Sequence, residues 1–432
     1  MSLIDNTHLR ILDPAFDKAS FRASFKFPSD SVILSDIRLL NVGIDSNAVD
    51  DYQPTSGASS AIASIRLYDG GTLLDSVENF TLYNNFKNLN NTNDDNLSLN
   101  RRLAYTDLGF IQQGVQAATG DPKVLTKDSY QQIAQSPVAG TVGKKAWVSL
   151  RECLPFLRSS VIVPTSIYKN LRLEVNYHSP AGLKNFVKSR RDATLSAPQG
   201  AIVLFNEVGE GDVKEAMKKQ YQGVSFRALE FDRAQIPAVT TLTTDDSTKL
   251  VLQQNNFVIH GFNGKRVGRL LMAQTSTNTA TWIDGNKNTG YANNTSTAQF
   301  RESVNVRVNG VNKLAGDGVG SVSGTGSSKN RRLAMLTDTW GDINLITGQQ
   351  FCATQDFNSY VGGVDLLRST QGAVDFMGLV IDEHVKDLQV FFNRHGVHGN
   401  PKQIEALNYQ LMAEVDKAVV VGTDSSYRVV YA

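Results

Sequence analysis

Metal, phosphate and nucleophile chemistry each need a few side chains at short, characteristic spacing, and this 432-residue chain offers few such sets. His395 and His398 form an HxxH pair, with His384 and Asp382 as the nearest further ligand types. A metal needs three or four nitrogen, sulfur or oxygen ligands brought together, and HGVHGN, with its two glycines, reads instead as a turn. The glycine-rich stretch from Gly316 to Gly326 would let backbone amides approach a phosphate. It contains no GxGxxG, and Lys329 does not complete a GxxxxGK[ST] pattern, so it reads as a surface loop. Neither GxSxG nor HExxH occurs, no Cys-His signature is present, and the carboxylates cannot be paired into a glycosidase-like dyad from their order alone. Cys153 and Cys352, far apart in the chain, read as buried free thiols of a reducing compartment. The expectation is a protein that is not an enzyme: no catalytic residue, no cofactor-binding residue, no metal ligand and no small-molecule substrate.

Charge points the same way. Lys plus Arg total 43 against 42 Asp plus Glu, a net charge of +1, whereas a dedicated nucleic-acid binder needs a clear basic excess for its phosphate contacts. Met1 to Lys18 carries Asp5, Arg10 and Asp13 among its apolar residues and does not read as a signal peptide. No uncharged apolar run approaches the roughly 18 residues of a membrane span, so a soluble protein is expected.

The periodicity that dominates is two. Phe21, Ala23, Phe25 and Phe27 alternate with polar residues, as do Leu171, Leu173, Val175 and Tyr177, and Ile65 with Leu67. In the second half Val304, Val306 and Val308 do the same, followed by Leu388, Val390 and Phe392 and by Tyr427, Val429 and Tyr431. Such alternation marks half-buried strands. Asn263-Gly264 and Asn309-Gly310 supply the positive φ angles of type I′ hairpins, so antiparallel hairpins are expected at both. Helical signals are shorter. Leu74, Val77, Phe80, Tyr83 and Phe86 recur every three residues, and Asp212 is placed to cap a helix carrying Val213, Ala216 and Met217. Asn400-Pro401 opens a segment that reads either as a helix (Ile404, Leu407, Leu411, Val415) or as a strand (Tyr409, Leu411, Ala413, Val415).

Long polar loops separate these elements: Asn84 to Asn100, Gln274 to Thr297 and Gly316 to Asn330, all rich in residues that bond to their own backbone. Pro and Gly punctuate the stretch from His178 to Gln199, which predicts a division into residues 1–190 and 191–432. Lys184, Lys188, Arg190 and Arg191 in that stretch read as a solvated linker, with a cluster that faces a phosphate-rich interior as the other reading. The triplet Phe-Arg-Ala, at Phe21 and again at Phe226, fits a duplicated fold.

The most informative stretch is WVSLRECLPFLRSSVIVPTSIYKNLRLEVNY, Trp147 to Tyr177. Its Leu154-Pro155 pair, apolar Val161 to Val163, second proline Pro164 and alternating Leu171 to Tyr177 resemble the end of the first jelly roll in double jelly-roll major capsid proteins. IRLYDGGTLLDSVENF, Ile65 to Phe80, resembles a segment of the first jelly roll in the polinton-like virus and virophage branch of the PRD1-adenovirus lineage. DLQVFFNRHGVHGN and the closing YRVVYA resemble the last strands of the second. The resemblance implies an all-β fold of two tandem eight-stranded jelly rolls, β-sandwiches with short helices and long loops. It implies a structural subunit of an icosahedral capsid, located in the virion and assembled inside the host cell. The implied assembly is a pseudo-hexagonal homotrimer, a capsomer that tiles a shell around double-stranded DNA. Implied partners are neighbouring capsomers, penton and minor capsid proteins, and indirectly the packaged DNA or an internal membrane. The competing readings are a carbohydrate- or receptor-binding jelly roll, which should group aromatic residues on a loop, and an all-β hydrolase. Trp147, Trp282 and Trp340 are scattered.

Overall fold

The structure is a computed structural model, and it describes residues 7–43, 49–52, 58–84, 145–183, 187–189, 196–209, 211–237, 252–276, 300–314, 319–320, 376–396, 407–423 and 426–431. In the first half the strands are β1 (Thr7–Leu12), β2 (Ala15–Asp17), β3 (Arg22–Lys26), β4 (Val32–Leu34), β5 (Arg38–Val42), β6 (Val49–Tyr52), β7 (Ile62–Asp69) and β8 (Thr72–Val77). They continue with β9 (Ala146–Ser149), β10 (Ile162–Pro164), β11 (Leu171–Tyr177), β12 (Val187–Ser189) and β13 (Ile202–Val208). Short helices α1 (Leu150–Cys153) and α2 (Pro155–Ser159) fall between β9 and β10, α3 (Pro180–Leu183) follows β11, and α4 (Asp212–Gln220) leads into the second half. There the strands are β14 (Gly223–Ile236), β15 (Leu252–Ile259), β16 (Lys265–Ser276), β17 (Phe300–Val308), β18 (Val311–Asn312), β19 (Val319–Gly320), β20 (Phe376–Val385), β21 (Leu388–Gly396), β22 (Leu407–Val421) and β23 (Tyr427–Tyr431).

The pairings reduce to one pattern used twice. β13 pairs β1 along one edge, and along the other β4 and β5 in succession; β10 then pairs β4, and β9 pairs β5. Counting β4/β5 and β9/β10 as interrupted strands, this sheet runs first-eighth-third-sixth, and β3-β11-β7-β8 runs second-seventh-fourth-fifth. In the second half β14-β22-β16-β20 and β15-β21-β17-β18 repeat both orders. Two antiparallel sheets with this interleaving are a jelly roll, so the chain is two jelly rolls in tandem. β13, which completes the first, lies beyond residue 190, and the change of sheet partners falls between Val208 and Gly223.

Alternation explains most strands directly. Ala23 and Phe25 are buried between exposed Arg22 and Lys26, and Leu173 and Val175 face them from β11. Phe27 and Phe205 meet edge to face at 5.4 Å in the first core, and in the second Phe392 stacks on Tyr409 at 4.2 Å.

Three expectations need correction, and one open alternative resolves. The three-residue recurrence at Leu74 is not one helix: β8 occupies Thr72–Val77, and helix begins only at Phe80. Its pairing with β7 slips by one residue between Leu67 and Tyr68, so a β-bulge turns both Leu74 and Val77 inward at a helix-like spacing. Asn263-Gly264 makes no hairpin, because β15 belongs to one sheet and β16 to the other; only Gly264 has positive φ, 77°. The segment around Leu411, readable as helix or strand, is the strand β22, while Asn400 to Glu405 lie outside the described residues. The Phe-Arg-Ala triplets fall on a second strand (β3) and a first strand (β14), so they do not correspond under the repeat. The expected helix at Asp212 is present as α4, with Gly211 rather than Asp212 at its N-cap. The Leu-Pro and Pro landmarks also resolve: Pro155 opens α2 and Pro164 closes β10, so Trp147 to Tyr177 comprises the sixth strand, its helical interruption and the seventh.

Asn309-Gly310 is a hairpin turn between β17 and β18, with φ of 51° and 81°. The Asn309 carboxamide also reaches the turn between β20 and β21: its Oδ1 accepts from the Lys386 amide at 2.7 Å and its Nδ2 donates to the His384 carbonyl at 2.7 Å. Asn309→Ala leaves these backbone groups unanswered and is expected to lower stability by about 2 kcal/mol, read by chemical denaturation.

Candidate functional site

The sequence-level candidates do not converge. His395 lies in β21, opposite Leu252, so HGVHGN begins as strand rather than as a turn, and His398 lies outside the described residues. Asp382 pairs with Arg266 at 3.0 Å, and the His384 carbonyl is held by Asn309. Among the described residues no group of three or more His, Cys, Asp or Glu side chains could hold a metal. Of the glycine-rich stretch only Val319–Gly320 is described, as β19 against β17. Lys188 lies in β12 opposite Asp51; Lys184, Arg190 and Arg191 are outside the described residues, as are Cys352, Trp282, Trp340 and most of the three polar loops. Cys153 is buried.

What the fold does bring together is the junction between the two jelly rolls. α2 is placed there by its interruption of the sixth strand, and Phe156, fully buried, meets Tyr168 at 5.8 Å and Phe226 of β14 at 5.7 Å, both edge to face. Phe226, Ala228, Leu229, Leu271, Met412 and Val419 of the second half belong to the same apolar cluster as the first half's core. Tyrosines add directional ties. The Tyr168 and Tyr221 hydroxyls are 2.8 Å apart, and Tyr427 donates to Asp69 Oδ2 at 2.8 Å.

Two ionisable groups are buried in this apolar setting. Asp75 is core-facing because of the β8 bulge, and its carboxylate accepts from the backbone amides of Phe156 at 2.8 Å and Ser76 at 2.9 Å. Desolvation pushes its pKa up to about 7, against the opposing pull of those amides and of Lys417. Lys417 of β22 is pulled below its ordinary value, mainly by burial, with Asp75 and Glu230 opposing. Its ammonium faces the rings of Tyr431 at 5.4 Å and Phe226 at 5.8 Å, and Tyr431 donates to Glu230 at 3.0 Å. These residues escape sequence reading: Asp75 sits in a stretch with helix-like spacing, and nothing local relates it to Lys417.

Beside the junction is a cleft of about 510 Å³, lined by Ala63, Glu78, Asn79 and His178 from the first half and Phe231, Asp232, Arg233 and Gln410 from the second. Its carboxylates already serve the fold. Glu78 takes two bonds from Arg66, at 2.8 and 2.6 Å, and Asp232 accepts from the amides of Gly261 and Arg233. Burial drops the His178 pKa to about 4, so the imidazole is neutral at neutral pH. The chemistry of this region is cohesion between two sandwiches.

No family model matches the sequence, and no curated protein matches it. Solved structures do. The Faustovirus major capsid protein superposes with a TM-score of 0.56 at 8% identity, over 96% of this chain and 90% of that one. PBCV-1 VP54, fitted into a reconstruction of the virophage Sputnik, gives 0.52 at 11% identity over 99% and 97%. The Sputnik virophage structure gives 0.51 at 9% identity over 98% and 88%. At these identities the likeness is one of fold, and it extends over both sandwiches and their junction: the chain has the double jelly-roll fold.

Proposed function

We propose that this chain is a structural, non-enzymatic subunit of an icosahedral viral capsid, with the first jelly roll ending after Val208 and the second starting at Gly223. The observation that carries the reading is the shared apolar core between two sandwiches of identical strand order. A wall element must resist shear between its parts, and fusing two cores through Phe156, Phe226 and their neighbours makes one thick block of two jelly rolls. Solved chains with this fold, of matching length, are capsid proteins of Faustovirus and of PBCV-1. On this reading the subunit resides in the virion, and three copies close into a capsomer whose six jelly rolls give a pseudo-hexagonal outline. Such capsomers tile a shell around double-stranded DNA and meet neighbouring capsomers, penton and minor capsid proteins.

Electron microscopy of the purified protein, dilute and concentrated, tests the proposal. Particles of hexagonal outline and roughly 140 kDa, three chains under closed symmetry, are expected. Dispersed monomers at every concentration would count against it.

A further inference from the structure

The Asn309 carboxamide is held by four hydrogen bonds whose directions matter for its chemistry. Oδ1 accepts from the backbone amides of Lys386 at 2.7 Å and Asp387 at 3.3 Å, so negative charge developing on that oxygen would meet two N–H donors already in place. Nδ2 donates to the His384 carbonyl at 2.7 Å and to Glu383 Oε2 at 3.1 Å. Glu383 belongs to β20, in the sheet opposite the β17–β18 hairpin. Its other oxygen, Oε1, accepts from the Lys313 ammonium. One carboxylate therefore holds an amine on one oxygen and a carboxamide on the other.

The hairpin fixes both reactants. Asn309 sits at its tip with φ of 51°, and Lys313 is anchored to β17 by its backbone amide, which donates to the Val306 carbonyl at 2.8 Å. The Lys313 and Glu383 side chains are 23% and 34% exposed, so the pair is largely withdrawn from water. Glu383 is held below the ordinary carboxylate range, first by the hydrogen bond from Lys313 and further by that from Asn309, so it is ionised at neutral pH and able to take a proton. A nucleophile, a base shared between nucleophile and leaving group, and donors at the carbonyl oxygen are the parts of an acyl transfer.

We propose that Lys313, Glu383 and Asn309 form a self-modification site, in which Lys313 Nζ is joined to Asn309 Cγ as an amide and ammonia is released. Glu383 Oε1 takes a proton from the ammonium, and the freed amine attacks Cγ. The new C–N bond forms as the carbonyl electron pair moves onto Oδ1, facing the Lys386 and Asp387 amides. Glu383 passes its proton to Nδ2 and takes a second one from the new linkage, the Cγ–Nδ2 bond breaks, and the carbonyl re-forms. The departing ammonia takes that last proton and leaves as ammonium, which restores the carboxylate. Nothing is oxidised or reduced, and no co-reactant enters. The product is a closed loop from Asn309 to Lys313 that ties β18 to the tip of β17. β18 is two residues long and ends its sheet, so it has little pairing of its own to hold it. The inference stands apart from the capsid reading.

Intact mass and tryptic mapping of the full chain, fresh and after warm incubation, test it. Wild type is expected to be lighter than its sequence by one ammonia, in a fraction that grows with time. Trypsin should fail to cleave after Lys313 in that fraction, so Val308 to Lys329 emerges as one peptide, without backbone fragment ions from between Asn309 and Lys313. Glu383→Gln keeps the shape but takes no proton, and Lys313→Arg removes the amine. Both are expected to retain full mass and normal cleavage, with circular dichroism matching the wild type. A folded wild type that keeps its full mass throughout overturns the proposal. Ammonia loss that persists in Lys313→Arg overturns it as well, because Asn309-Gly310 can shed ammonia alone by succinimide closure. An unchanged rate of linkage in Glu383→Gln would remove Glu383 from the mechanism and so overturn the site as assigned. Should a variant fail to fold, the wild-type peptide map decides by itself.

Discussion

Phe156→Ala is expected to lower the free energy of unfolding by about 3–5 kcal/mol, the usual cost of truncating a buried aromatic ring, and to split a single calorimetric transition into two. The size follows from complete burial and from edge-to-face contacts with Tyr168 and Phe226. The splitting follows from position. Phe156 belongs to the first jelly roll through α2 and touches β14 of the second, so removing the ring opens a cavity where the two cores are continuous. A cavity of equal size inside one sandwich, as from Phe392→Ala in the second core, should lower stability comparably without separating the halves. Two overlapping transitions in the Phe156 variant, with one in the Phe392 variant, would establish that the junction transmits cooperativity. One transition in both would show that the halves are coupled elsewhere.

The same comparison shows which parts of the fold are legible in sequence. Arg22–Lys26 has one buried and one wet face, and in Leu171–Tyr177 and Val304–Val308 buried apolar residues alternate with polar ones; faces of that kind write themselves as alternation. β8 does not, because its bulge puts Leu74 and Val77 on the inside three residues apart. Asn263-Gly264 shows the limit of turn chemistry: it encodes a tight reversal at Gly264, but nothing local says that the next strand joins the opposite sheet. The division proposed here, after Val208 rather than after residue 190, was hidden for a related reason. Pro and Gly mark the stretch after β11 correctly as a connection, but β13 returns across it to pair with β1 from the start of the chain, a long-range fact that composition does not carry. The junction was the least visible feature, since its members come from β8, α2, β14 and β22, and each reads locally as an ordinary strand or helix residue. The Trp147 to Tyr177 resemblance reached it indirectly, because that segment holds the helix that enters the junction.

Two buried groups at and beside this junction should act on stability in opposite directions over the same pH range. Asp75 has its folded pKa raised from 3.8 to about 7. Its contribution is therefore fully present below about 4 and is lost as pH rises toward 7, because the unfolded chain releases a proton that the folded chain still holds. His178, lowered from 6.5 to about 4, behaves the other way: its contribution is present above 6.5 and is lost as pH falls toward 4. At roughly 1.4 kcal/mol per unit of displacement, each amounts to a few kcal/mol, and in the wild type they largely offset. Lys417, pulled down from 10.5, acts from the alkaline end of the scale. Single substitutions should expose the two slopes. Asp75→Asn cannot ionise and keeps one acceptor oxygen, enough for the Phe156 amide or the Ser76 amide but not both; its overall stability is therefore lowered, but its stability relative to wild type should climb from pH 4 to pH 7. His178→Gln keeps a partner for Thr81 Oγ1, which lies 3.0 Å from His178 Nε2, and its relative stability should fall over that interval. Measuring each variant against wild type at each pH cancels the titration of all other groups, so the two difference curves should cross with opposite slopes. Parallel or flat curves would mean that Asp75 is ionised throughout, held by its two amides and Lys417, and the junction would then contain a permanent buried ion pair.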